Sequence, residues 1–150
     1  MSDIHTILIV EDNATDVMLI RRALAKSNIA NPVHVVVDGD RAVAYLSGLD
    51  GYDDRAQFPL PALVLLDLKL PRRSGLEVLE WLRGQDGLRR LPVVMLTSSR
   101  QSQDVNRAYD LGANSYLVKP VEFDALQEML GTINAYWIDY NEKPSISPTA

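Results

Sequence analysis

The chain has 150 residues, 47% hydrophobic and 23% charged, enough for one globular domain with its own core. A formal charge of −5 excludes the basic face that a nucleic-acid module carries. The absence of cysteine excludes disulfides, thiolate metal sites and thiol nucleophiles. No cleavage-type leader is seen and no apolar run approaches the ~20 residues of a bilayer span, so a cytoplasmic protein with no membrane contact is expected.

Residues 6–10 read as a buried strand that ends on Glu11 and Asp12. Asn13 suits a helix N-cap, Ala14, Val17, Ile20 and Leu24 follow at helical spacing, and Asn31-Pro32 stops that helix. Residues 33–37 give a second, β-branched strand, and Asp38-Gly39 turns into a helix carrying Ala42, Leu46 and Leu49. Residues 48–61, with their glycines, aspartates and prolines, read as a surface loop. The unbroken apolar run of residues 63–66 then leads to Asp67, the pattern of a strand buried on both faces.

Ser74 and Glu77 have the spacing of a capping box at the head of a helix buried through Val78, Leu79 and Leu82. Residues 92–96 form a fourth strand ending at Thr97, followed by a helix with Val105, Ala108 and Tyr109 and by Gly112 as its left-handed cap. Residues 115–118 form a fifth strand running into Lys119-Pro120. The last helix begins near Glu122. Phe123, Leu126, Leu130, Ile133 and Trp137 make one stripe along it, and Met129, Ile133, Tyr136 and Tyr140 make another. The expected organisation is one domain over residues 1–141 and a disordered tail over 142–150, rich in proline, serine and threonine.

Strands alternating with helices predict an α/β fold, a doubly wound five-stranded parallel sheet with right-handed crossovers. In the order 2-1-3-4-5, Asp12 and Asp67 face one another across the switch point, where such sheets bind ligands. Carboxylates crowded there repel one another and call for a cation, and oxygen donors completed by water suit Mg²⁺. A carboxylate beside that metal is a nucleophile for a phosphoryl group. The metal, the Lys119 ammonium and the Thr97 hydroxyl would share the charge on the transferring oxygens. Taken singly, each residue has an ordinary explanation: a helix cap for Asp67 or for Glu11-Asp12, a strand-end hydroxyl for Thr97, a solvated lysine for Lys119. Their order on successive strand ends makes them one site. His5 and His34 are read as surface or packing residues.

This set of residues resembles the receiver domain of two-component response regulators, from about residue 6 to the end of the last helix. The matching positions are Glu11-Asp12, Asp67 in Asp-Leu-Lys-Leu-Pro, Thr97, and Tyr116 with Lys119-Pro120 in Tyr-Leu-Val-Lys-Pro. The resemblance implies a flavodoxin-like receiver fold in which Asp67 takes a phosphoryl group from a histidine kinase. It implies Mg²⁺ held by Asp12, Asp67 and the main-chain carbonyl of Lys69, with Glu11 acting through water. It implies a cis bond before Pro120, and a switch in which Thr97 moves to the phosphoryl group and Tyr116 turns inward. Lys69 and Ser99 would flank that group and set the access of water. Such a protein is a phosphoacceptor that catalyses its own phosphotransfer and autodephosphorylation, not an enzyme with a separate substrate.

No output domain follows in this sequence, so signalling by partner contact is expected, through the face of the fourth helix, fifth strand and fifth helix. Tyr136, Trp137 and Tyr140 lie beyond the expected sheet edge and, with Met129 and Ile133, outline a homodimer surface. The loop Asp53-Asp54-Arg55 with Phe58-Pro59 and Pro61, and the Tyr-Trp ending, resemble the single-domain regulators of phytochrome-type kinases. The alternatives are a phosphorelay intermediate that serves a histidine phosphotransfer protein, and an aspartyl-nucleophile phosphohydrolase. The latter needs a carboxylate where this chain has Lys69.

Overall fold

In the computed structural model, which describes residues 4–147, the apolar runs pair into one parallel sheet. Its strands are β1 (Ile7–Val10), β2 (Val33–Val36), β3 (Leu63–Leu66), β4 (Val93–Thr97) and β5 (Ser115–Val118), in the order β2-β1-β3-β4-β5. That is the expected doubly wound fold. β1, β3 and β4 are buried along their whole length, because helices cover both faces and no strand position looks into water.

The helices are α1 (Ala14–Lys26), α2 (Gly39–Ser47), α3 (Gly75–Arg83), α4 (Ser102–Asp110) and α5 (Phe123–Asn134). Successive strand residues point to opposite faces and so divide the core in two. Ile7, Ile9, Leu63, Leu65, Val94 and Leu96 lie under α1 and α5. Leu8, Val10, Val64, Leu66, Val93 and Met95 lie with Tyr45, Leu46, Val78 and Leu82 of α2 and α3. Asn13 and Asp38 cap α1 and α2 by accepting from the Asp16 and Arg41 N–H groups at 3.0 and 2.7 Å, and both arms of the Ser74–Glu77 box are formed.

Three local expectations shift. α2 ends at Gly48, whose φ of 73° is left-handed, so Leu49 falls beyond the helix and is exposed. Tyr109, adjacent to the buried Ala108, faces outward from α4. The loop over residues 48–61 is anchored: Arg55 donates to the carbonyls of Tyr45, Leu46 and Phe58, which closes the carboxyl end of α2. Beneath it Tyr52 and Phe58 pack around Tyr45 with ring centroids 5.0–6.0 Å apart, and His34 joins the cluster as a packing residue.

α5 continues into a π-helical segment, Ala135–Tyr140. Its i→i+5 bonding advances the inward stripe by one residue, so Ile138 takes the buried position that α-spacing assigns to Trp137. Trp137 is partly buried and meets Tyr136 edge to face at 4.8 Å. Ile133 is only 6% exposed and belongs to the core, which removes it from the expected dimer surface: it lies on the stripe that packs on the sheet. The stretch expected to be disordered has no regular structure over residues 142–147. Ile146 nevertheless packs against the core and the Ser147 N–H donates to the Gly87 carbonyl at 2.8 Å. The remainder of that expectation, residues 148–150, lies outside the described residues.

Candidate functional site

The register places the carboxyl ends of β1, β3, β4 and β5 at one edge. The ladder extends one step beyond the strands, because the Glu11 N–H donates to the Val36 carbonyl and the Asp67 N–H to the Val10 carbonyl, both at 3.1 Å. Both acids are therefore fixed by backbone before their side chains bond to anything. Glu11, Asp67 and Thr97 are buried, whereas Asp12 is exposed at the rim. These residues line a cleft of about 480 Å³ with Asn13, Asp16, Lys69, Ser98, Ser99 and Lys119.

Asp67 is held from behind by α3. The Gly75 N–H donates to the Leu68 carbonyl at 2.9 Å, and a Cβ on Gly75 would stand 2.0 Å from the Asp67 carbonyl oxygen. Only a residue without a side chain allows so close a backbone approach. Gly75→Ala is accordingly expected to push the strand end and helix apart, at about 1–3 kcal/mol of stability, as overpacking does. A urea midpoint equal to that of the unchanged protein would show that the two segments separate freely.

The carboxylates converge on one cation. Lys119 donates to Glu11 Oε1, to Asp16 Oδ2 at 3.0 Å and to Asp67 Oδ2 at 3.1 Å. The other Asp67 oxygen accepts the Leu68 N–H at 2.7 Å. Burial, opposed by the Lys119 hydrogen bond and reinforced by the Asp67 charge, pushes Glu11 up to about 7. Burial acts against the charge of Lys119 too. The hydrogen bond to Glu11 and the charge of Asp67 outweigh it and hold the ammonium above the usual lysine value. Glu11, Asp12 and Asp67 each offer a carboxylate oxygen within 4.8 Å of the others. Such a set of hard oxygen donors fits Mg²⁺.

The expected cis bond before Pro120 is corrected: no cis peptide occurs among the described residues. The trans form is the lower in energy by about 0.5–1 kcal/mol before proline. The Lys119 N–H donates to the Thr97 carbonyl at 2.8 Å, and from that backbone the ammonium reaches all its partners.

Thr97 is buried at the end of β4, and Tyr116 is half-buried with its hydroxyl donating to the Ser99 carbonyl at 3.0 Å. Burial, partly offset by that bond, raises the Tyr116 phenol above its ordinary value. The Ser99 hydroxyl donates to Asp104 in the first turn of α4. Asp16 and Asp104 are absent from the sequence reading. Asp16 had a weak signal, as an acid three residues after the Asn13 cap in the helix that leaves the acidic strand end. Asp104 had none beyond its place in a helix's first turn.

The response regulator receiver domain matches residues 7–131. The chain belongs to this family. Among its relatives, this receiver is 39% identical over 142 residues to the probable methanogenesis regulatory protein FilR2 of Methanothrix harundinacea, covering 95% of this chain and 89% of that one. It is 37% identical to the response regulator Rcp1 of Synechocystis, covering 89% and 88% respectively. It superposes on the phosphorylated cyanobacterial phytochrome response regulator RcpA with a TM-score of 0.88 at 36% identity, over 95% of this chain and all of that one. Rcp1 has also been solved with Mn²⁺ bound (TM-score 0.84, 35% identity, 94% and 99% coverage). The family and the five-stranded order match the sequence reading. Among the described residues no helix of this receiver is long and apolar enough to cross a membrane.

Proposed function

We propose that this receiver accepts a phosphoryl group on Asp67 from a histidine kinase, that the kinase is of the phytochrome type, and that the reaction requires Mg²⁺. One observation carries the reading: an aspartate carboxylate, a largely shielded lysine ammonium, a buried threonine and a metal-ready acidic cluster open onto one cleft. The likeness to RcpA supports the kinase class. Asp67 attacks phosphorus, the P–N bond of a phosphohistidine breaks, and its electron pair leaves with the imidazole. The Leu68 N–H fixes one Asp67 oxygen during attack, and the Lys119 ammonium balances charge beside the other. Mg²⁺ would be held by Asp12, Asp67 and the Lys69 main-chain carbonyl, with Glu11 through water, and it supplies further charge compensation to the phosphoryl oxygens. Lys69 in place of a second carboxylate disfavours a phosphohydrolase.

A phosphoryl group adds roughly −1.5 to −2 charges. Thr97 would move to donate to it, and Tyr116, bonded to Ser99, couples the segment after β4 to β5 and α4. The change is read on the face of α4, β5 and α5. The test is phosphotransfer from a purified phytochrome-type kinase: label is expected on this protein with Mg²⁺ and none with a chelator. Labelling only by kinases of other input classes would overturn the partner assignment, and label that moves on to a histidine phosphotransfer protein would make the receiver a relay.

A second copy is the proposed occupant of the outer side of the C-terminal arm. Tyr136 and Tyr140 are 55% and 81% exposed there, with Met129 and Trp137 partly exposed beside them. Light scattering at micromolar concentration is expected to give a dimer mass, falling to a monomer when Tyr136 and Tyr140 are both changed to serine. A monomer before the change would refute it.

A further inference from the structure

Lys119 has three N–H donors, and a carboxylate takes each of them. Two of these partners, Glu11 and Asp67, belong to the cluster whose oxygens lie within 4.8 Å of one another, together with Asp12. Asp16 does not. It sits in the first turn of α1, its N–H bonded to the Asn13 cap, and its Oδ2 lies 3.0 Å from the ammonium. Its side chain is 34% exposed, against 11% for Lys119.

We propose that Asp16 is a positioning residue for phosphoryl transfer: it keeps one N–H of Lys119 and aims the ammonium into the cleft while Glu11 and Asp67 change partners. The proposal rests on the reading of Asp67 as the acceptor. When Asp67 becomes an acyl phosphate and the acidic cluster is neutralised, the bonds to Glu11 and Asp67 are exchanged for bonds to other groups. Asp16 takes part in neither change, so its bond persists through the reaction. The lysine stem follows β5, where its backbone N–H is fixed to Thr97, and the head is fixed to α1; the side chain is strapped at both ends. A lysine free at its head would lose orientation in each cycle, because a four-carbon stem has many rotamers.

The ordinary alternative is that Asp16 only complements the positive end of α1, as an acid in a first turn does. Three versions of the full chain separate the two roles: unchanged, Asp16→Ala and Asp16→Asn. Asparagine keeps an acceptor oxygen but removes the charge, so a helix-end role is lost in both variants, whereas a positioning role is rescued by asparagine. The direct readout is the ¹⁵N signal of the Lys119 side-chain ammonium in lysine-labelled protein, with the backbone amide spectrum reporting the fold. With Mg²⁺ added to engage Glu11 and Asp67, the signal is expected in the unchanged protein and in Asp16→Asn, and lost to fast exchange in Asp16→Ala. The kinetic readout is labelling of Asp67 by a small acyl phosphate. Here Asp16→Ala is expected to be about tenfold slower, the size of one charge-assisted hydrogen bond, and Asp16→Asn to recover most of the rate.

An ammonium signal that survives Asp16→Ala, or an asparagine variant as impaired as the alanine one, overturns the proposal. A lack of labelling in the unchanged protein would instead refute Asp67 as acceptor. The ammonium signal would still report whether Asp16 holds Lys119.

Discussion

Asp67→Asn is expected to abolish incorporation of phosphate from any histidine kinase or acyl phosphate while leaving the fold in place. The amide nitrogen cannot form the acyl phosphate, and the amide oxygen is a far weaker nucleophile than a carboxylate. The fold survives because asparagine still offers an oxygen to the Leu68 N–H. The surroundings also lose one of several crowded negative charges. Acid-labile label is measured per mole of protein, with the denaturation midpoint alongside. Stoichiometric label on the variant would remove Asp67 from the chemistry. A collapsed midpoint would mean that the carboxylate is chiefly structural.

Lys119→Met is expected to destabilise the protein by something on the order of 3 kcal/mol in the absence of divalent cations, the typical cost of removing one partner from a buried ion pair. Lys119 is the cation in contact with both Glu11 and Asp67, and all of these side chains are largely shielded from water. Methionine keeps the apolar stem packed and deletes only the charge, so the loss reads electrostatics rather than a cavity. Mg²⁺ binds the same carboxylates in the folded state only. At a hundred times its Kd it is expected to return about 2.7 kcal/mol, so most of the loss disappears in its presence. Urea denaturation with and without Mg²⁺ measures both quantities. A variant as stable as the unchanged protein without metal would mean that the carboxylates do not depend on the lysine for their burial.

Sheet order and the meeting of Glu11, Asp12, Asp67, Thr97 and Lys119 were legible in the sequence, and the reason is physical. Strands buried on both faces must be continuously apolar, so the first polar residue after each run marks the strand's carboxyl end. In a parallel sheet all such ends lie together. What was not legible depends on side chains and winding. Asp16 reaches the lysine from the flank of a helix, where an acid has an ordinary use as a charge at the positive helix end. Ile133 fitted two stripes at α-spacing; its burial with Leu126 and Leu130 assigns it to the inward one, and the change of winding after Asn134 is what makes Ile138 follow it. The composition of residues 142–147 is that of a free tail, yet Ile146 finds an apolar surface and Ser147 a carbonyl.

The π-helical segment makes the arm tolerant of length. Ile133 and Ile138 are five positions apart, and both are buried. Removing any one residue between them would bring that spacing to four, an ordinary α-helical interval that returns both side chains to the same face. The core would keep its contacts and the residues after Ile138 their direction, while the side chains between the two isoleucines would turn about the helix axis. A single-codon deletion in this stretch is therefore a means of re-aiming Tyr136 without disturbing the domain that carries the aspartate. Receivers with one common core could in this way diverge in what their arms touch.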